Sequence, residues 1–141
     1  NYALLYGKTA FTLAKDIGVT PQVAQEFIDA YFAGFPQVRA FIDRTLEEAR
    51  VSGEVRTLFG RRRLVPELNS RNTQIRQAAE REAVNMPIQG TAADILKLAM
   101  IDTHRALAAI PTARMILTVH DELLFEVANE RADETAALVR D

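Results

Sequence analysis

"ARMILTVHDELLFEV", residues 113–127, is the stretch on which the architecture turns. "ARMILTV" and "ELLFEV" are β-branched and aliphatic runs joined by a tight turn at His120–Asp121. The segment therefore reads as an antiparallel hairpin whose flanks are built to be buried. Two adjacent carboxylates, Asp121 and Glu122, stand at its tip with His120 beside them. Buried without a counter-charge, such a pair is costly. A divalent cation is one remedy, because hard oxygen ligands suit magnesium, which one or two carboxylates hold together with substrate phosphates. Two such ions about 4 Å apart clamp the attacking and leaving oxygens of a phosphoryl transfer. A solvated turn is the other remedy, since Asp is common in turns. Spacing alone leaves both open.

A lone hairpin is marginal in water, and the rest of the chain offers few strands, so the sheet is expected to be completed by residues outside it. Upstream the pattern is helical. "NYALLYG", residues 1–7, reads as the last turns of a helix closed by Gly7. Thr9 is placed to cap a short helix over residues 10–17, ended by Gly18. Thr20 and Pro21 are a strong start signal for the next helix, with Val23, Phe27, Ala30 and Tyr31 at helical spacing. Gly34 and Pro36 break it, and a third helix runs to Gly53 with an apolar stripe of Val38, Phe41, Ile42, Thr45 and Ala49. "EVRTLFGRRRLVPEL", residues 54–68, changes to short β-like runs around Gly60 and stops at Pro66. Helical patterning returns from about Arg71 to about Ala109; Pro87 interrupts it and predicts a kink or two helices meeting there. Asn129 is expected to cap a final helix. Helices, a long bent helix, a hairpin and a helix make an α+β pattern.

Composition narrows the class. A chain of 141 residues, 48% hydrophobic, can bury one core. With no cysteine there is no disulfide framework, thiolate zinc site or cysteine nucleophile, and a reducing, cytoplasmic compartment fits. No apolar run approaches the roughly 20 residues that span a bilayer, and no signal peptide opens the chain. It starts at Asn1 in residues that already read as structured, as a segment of a longer protein would. The net charge of −2 argues against a uniformly basic nucleic-acid binder. Between residues 54 and 82, however, seven arginines (56, 61, 62, 63, 71, 76 and 81) stand against four glutamates. A local basic stripe suits a phosphate-binding face, although a solvated surface produces the same pattern.

Read together, these stretches resemble the family A DNA polymerases, of the bacterial polymerase I type, over nearly every residue. "VHDELLFEV" (119–127) is similar to the third polymerase motif and "NMPIQGTAADILKLAM" (85–100) to the segment before it. "TLFGRRRLVPEL" (57–68) and "FPQVRAFIDRTLEEAR" (35–50) match in order between, and "NYALLYG" matches the tail of the second motif, the fingers helix over the incoming nucleotide. The resemblance implies a helical fingers part over residues 1–68 and part of a palm over 69–141, an incomplete polymerase domain.

It also implies roles. Asp121 resembles the palm aspartate that binds both catalytic magnesium ions, Glu122 its acidic neighbour, and His120 the residue at the primer terminus. Tyr2 and Tyr6, four apart on one helical face, would otherwise read as core packing. The resemblance puts Tyr2 against the sugar of the incoming nucleotide and Tyr6 near the templating base. Tyrosine at position 2, where many cellular members have phenylalanine, implies relaxed discrimination against dideoxynucleotides; Ala3 departs from a common glycine. Arg81, Asn85 and Gln89, spaced by four, share one helical face. Arginine suits a phosphate, and the amides suit minor-groove acceptors that every Watson–Crick pair presents. The resemblance assigns all three to DNA near the primer terminus. Arg61, Arg62 and Arg63 are weaker candidates, for backbone or structural contacts. Asp102 and His104 are expected on a solvated face, and Asp94 in packing.

The implied activity is template-directed addition of deoxynucleotides to a primer 3′ end by two-metal phosphoryl transfer. Its partners are primer–template DNA, deoxynucleoside triphosphates and the remainder of the polymerase chain, with no membrane, in the cytoplasm and nucleoid of a bacterial or virus-infected cell. The second bridging aspartate of the family lies upstream of Asn1, so the chain is expected to be inactive alone. Two alternatives stand beside this reading: a non-catalytic nucleic-acid-binding module that uses the basic stripe, and a metal-dependent phosphohydrolase built on the His120–Asp121 pair. The phosphohydrolase class needs that pair on a helix with further histidines, and only His104 is available.

Overall fold

The computed structural model describes residue 4 and residues 7–140. These divide into two compact units, Asn1–Thr91 and Ala92–Asp141. The architecture is α+β: helices α1 (Ala10–Ile17), α2 (Pro21–Gly34) and α3 (Pro36–Ser52), strands β1 (Glu54–Arg56) and β2 (Arg62–Leu64), the long helix α4 (Thr73–Ala106), strands β3 (Arg114–Val119) and β4 (Glu122–Glu126), and helix α5 (Ala132–Arg140).

In the first unit, cap chemistry sets the helix limits. Thr9 accepts the Thr12 N–H and Thr20 the Val23 N–H, each satisfying a donor that the first turn leaves unpaired. Gly18 and Gly53 close α1 and α3 in the left-handed conformation, at φ 70° and 74°. Most of the sequence "NYALLYG" lies outside the described residues; Leu4 is helical and buried, and Gly7 sits at φ 72°.

Helix α2 packs through Tyr31 of the expected stripe, and otherwise through a neighbouring one. Ala24, fully buried, and the partly buried Ile28 and Tyr31 join Leu4, Leu13 and Ala14. Val23 and Phe27 remain 46% and 61% exposed. Both stripes recur at helical spacing, and the one carrying the small Ala24 meets α1. The α3 stripe holds: Ala49 is buried and Val38, Phe41, Ile42 and Thr45 are partly so.

Strands β1 and β2 pair antiparallel, Glu54 opposite Leu64 and Arg56 opposite Arg62. A core of Ala49, Val55, Val65, Leu68, Ala79 and Ala83 packs them with α3 against the first half of α4. Asn72 caps α4, accepting the Gln74 N–H at 2.9 Å. The helix then runs unbroken through Pro87 for 34 residues, so two helices do not meet there.

In the second unit, Leu107, Ile110 and Ala113 form a buried cluster against which Met115, Phe125, Val127, Leu138 and Val139 pack. Strands β3 and β4 pair antiparallel, with a bulge between Met115 and Leu117. The bulge squeezes out Ile116 and brings Met115 opposite Phe125 on the packed face. The flanks are not buried as expected. Ile116 and Leu117 are 57% and 54% exposed, and Val119 and Leu124 are also open. A two-stranded ribbon covers only one of its faces here. Asn129 does not cap the last helix, because a 3-10 turn over Asn129–Arg131 precedes α5 and starts from Ala128.

Candidate functional site

The hairpin tip is a two-residue turn. Val119 pairs with Glu122, which leaves His120 and Asp121 as the connection. Two-residue connections need positive φ to match strand twist, and His120 supplies it at φ 55°, the one non-glycine residue with positive φ among those described. Histidine is among the few side chains that enter this region with modest strain. The side chains of His120, Asp121 and Glu122 are all exposed. Asp121 occupies the turn, and Glu122 begins β4 on the face shared with Leu124, which is the open face of the ribbon. The tip thus offers two solvated carboxylates and an imidazole on a short, paired support.

Hard carboxylate oxygens fit magnesium chemically. Among the described residues, however, no group of three or more His, Cys, Asp or Glu side chains gathers to hold a metal ion. Asp102 pairs with Arg105 at 3.4 Å on an exposed surface, His104 is likewise exposed, and Asp94 is buried.

In the first unit, α4 has two distinct faces. Ala79, Ala83 and Thr91 are buried. Arg81 and Gln89 are exposed on the opposite face, with Asn85 half-buried between them. The expected stripe of a cation and two amides is therefore presented outward. Arg81 lines a cleft of about 200 Å³ with Gly7, Thr9, Ile42, Leu46, Gln77, Glu80 and Val84. A Cβ on Gly7 would come within 2.9 Å of Arg81 Cγ, so the glycine allows the arginine stem to pass. Among the described residues no carboxylate pairs with Arg81, although Glu80 and Glu82 flank it in sequence. Those acids are taken by Arg50 and Arg63, each at 2.7 Å.

Part of the remaining basic stripe is paired with acids. Arg56 and Arg62 both approach Glu54, at 2.5 and 3.8 Å. Arg76 donates to the Ser70 carbonyl at 3.0 Å. Exposed pairs of this kind add little stability, but they reduce the local positive field. Tyr2 and Tyr6 lie outside the described residues.

Sequence reading missed the contact between the β1–β2 loop and α4. Thr57 Cγ2 would lie 2.7 Å from a Cβ on Gly90, and the Leu58 N–H donates to Thr91 Oγ1 at 3.0 Å. The available signal was Gly90 itself, since an interior helix glycine costs about 1 kcal/mol relative to alanine and therefore points to a close approach.

The model of DNA polymerase family A matches residues 1–141, the whole chain. The chain belongs to DNA polymerase family A. It is 52% identical over 141 residues to a thermostable DNA polymerase I of Thermus thermophilus, covering all of this chain and 17% of that protein. To the corresponding Thermus filiformis protein it is 51% identical with the same coverage. A Deinococcus radiodurans DNA polymerase I is 51% identical over 140 residues, 14% of its length. This family A chain thus spans about a sixth of the length of the Thermus relatives. Among solved structures, the POL domain of Pol1 from M. smegmatis, in complex with DNA primer–template and dNTP, superposes with a TM-score of 0.93 at 44% identity. The match covers 99% of this chain and 25% of that one. The α+β architecture is accordingly that of a fragment of a family A polymerase domain.

Proposed function

We propose that this chain is the part of a DNA-directed DNA polymerase that carries the acidic turn of the active site, with residues 1–68 in the fingers and 69–141 in the palm. The reading rests on one observation: in a family A chain, a two-residue hairpin turn presents Asp121 and Glu122 to solvent beside His120. Asp121 would hold magnesium, and Glu122 is its acidic neighbour, near the metal and less essential. When bound, paired magnesium ions supply charge neutralisation for phosphoryl transfer to the primer 3′ hydroxyl, with release of pyrophosphate. His120 contacts the primer terminus. Arg81 takes a phosphate, and Asn85 and Gln89 contact minor-groove acceptors, which lets the enzyme grip paired DNA without reading its sequence. Tyr2 packs against the sugar of the incoming deoxynucleotide, and Tyr6 stacks near the templating base. The setting is DNA in the cytoplasm and nucleoid of a bacterial or virus-infected cell.

The chain covers 17% of its Thermus relatives, and the open apolar side chains of Ile116, Leu117 and Leu124 leave room for further strands. On this reading the 141-residue chain is inactive alone. A non-catalytic nucleic-acid-binding module has less support, because Glu54 and Glu82 occupy Arg56, Arg62 and Arg63. In the full-length protein, Asp121→Ala abolishes primer extension while primer–template binding by anisotropy is retained. Extension that survives this change overturns the catalytic assignment.

A further inference from the structure

The loop Thr57–Arg61 is tied to one turn of α4. Pro87 has no N–H, so the Ala83 carbonyl loses its helical donor and the following turn is weakly attached to the one before. Gln89 lies in that turn, between Pro87 and Thr91. The Thr91 hydroxyl donates to the Pro87 carbonyl and accepts the Leu58 N–H at 3.0 Å, so one buried oxygen joins the loop to the start of the turn. Thr57, only 5% exposed, fills the space that a side chain at position 90 would need. Its own hydroxyl is fixed by the Arg61 N–H at 3.1 Å, and the loop closes through Thr57 N–H to the Arg61 carbonyl at 2.9 Å. The turn is thus gripped on its buried side, while Gln89 stands on the exposed side.

We propose that this loop is a clamp and that Thr91 is a positioning residue for Gln89. The inference rests on the reading of Gln89 as a minor-groove contact. A hydrogen bond to DNA needs its donor placed to within a few tenths of an ångström, and a misplacement of about 1 Å can cost on the order of a hundredfold in rate. Thr91→Val keeps the shape of the side chain and removes the shared oxygen. That leaves the Leu58 N–H without its acceptor and frees the turn to shift.

The test is a double-mutant cycle in the full-length polymerase, read as kcat and KM for single-nucleotide extension of a matched primer. Thr91→Val lowers kcat/KM about tenfold or more, and Thr91→Ser, which keeps the hydroxyl, restores it. In a Gln89→Ala background, Thr91→Val costs less than about twofold, because the group it positions is gone. A general packing defect predicts the opposite: losses that multiply, no rescue beyond the recovery of the unfolding midpoint, and no dependence on residue 89. If Gln89→Ala is impaired and Thr91→Val is silent, or costs the same in both backgrounds, the clamp is refuted and the DNA contact stands. If Gln89→Ala extends primers normally, the DNA contact is refuted and the clamp falls with it.

Discussion

Gly90→Ala sets helix propensity against packing, and the structure fixes the sign. Alanine is worth about 1 kcal/mol more than glycine inside a helix, so propensity alone makes the change stabilising. The new Cβ, however, would lie 2.7 Å from Thr57 Cγ2, well inside the 3.4 Å at which ordinary contact begins. Overpacking of this kind costs about 1–3 kcal/mol. Thr57 cannot simply turn aside, because its hydroxyl holds the Arg61 N–H at 3.1 Å and loss of that bond costs about another 1 kcal/mol. The balance is a destabilisation of about 1–3 kcal/mol, a factor of roughly 5 to 150 in the local opening equilibrium. Global melting of a multidomain polymerase does not isolate this term. Native-state hydrogen exchange at the amides of Leu58 and the Pro87–Thr91 turn does, and it should accelerate by that factor. Thr57→Ser in the same molecule removes the offending methyl, keeps the hydroxyl, and should recover most of the loss. Slower exchange in Gly90→Ala, or a double variant no better than the single one, would show that the close approach is not there.

Three further outcomes are expected. His120→Gly relieves the positive φ and should leave hairpin stability unchanged or raise it by up to about 1 kcal/mol. Primer extension should fall nonetheless, and a gain in both would remove His120 from the site. Tyr2→Phe should raise discrimination against dideoxynucleotides in competition extension assays, since the phenol hydroxyl can replace a hydrogen bond otherwise made by the sugar 3′ hydroxyl; unchanged ratios reject that role. The Arg131 hydrogen bond holds the Glu134 carboxyl below its ordinary range. Any stability it lends α5 is present at neutral pH and lost as pH falls through that lowered value. Glu134→Gln should flatten the acid limb of the stability profile slightly, because the pair is solvent-exposed.

What was legible in the sequence was legible because its chemistry is local. Thr9, Thr20, Gly18 and Gly53 mark helix ends through bonds to backbone groups a few residues away, and the structure places each as a cap. The hairpin was legible for the same reason, down to its two-residue connection. Choices made by distant partners were not. Helix α2 carries two apolar stripes, and only packing against α1 selects Ala24 and Ile28 over Val23 and Phe27. The Thr57–Gly90 contact joins residues 33 apart, and no periodicity in either segment announces it. The open face of β3–β4 contradicted the expectation of buried flanks because β-branched runs report what a strand can pack against, and not whether a partner is at hand.

The turn residues themselves weigh between a site and a solvated loop. A connection selected only to reverse the chain favours Asn-Gly or Asp-Gly, or glycine at the position that takes positive φ. This chain instead puts His120 at φ 55° and an acid after it, then a second acid at the first strand position. Holding a non-glycine residue there costs about 1 kcal/mol, and no side-chain hydrogen bond or ion pair of the three tip residues among those described offsets it. An imidazole and two carboxylates kept at a fixed tip, against the local preference of the backbone, favour the proposed site over a solvated loop.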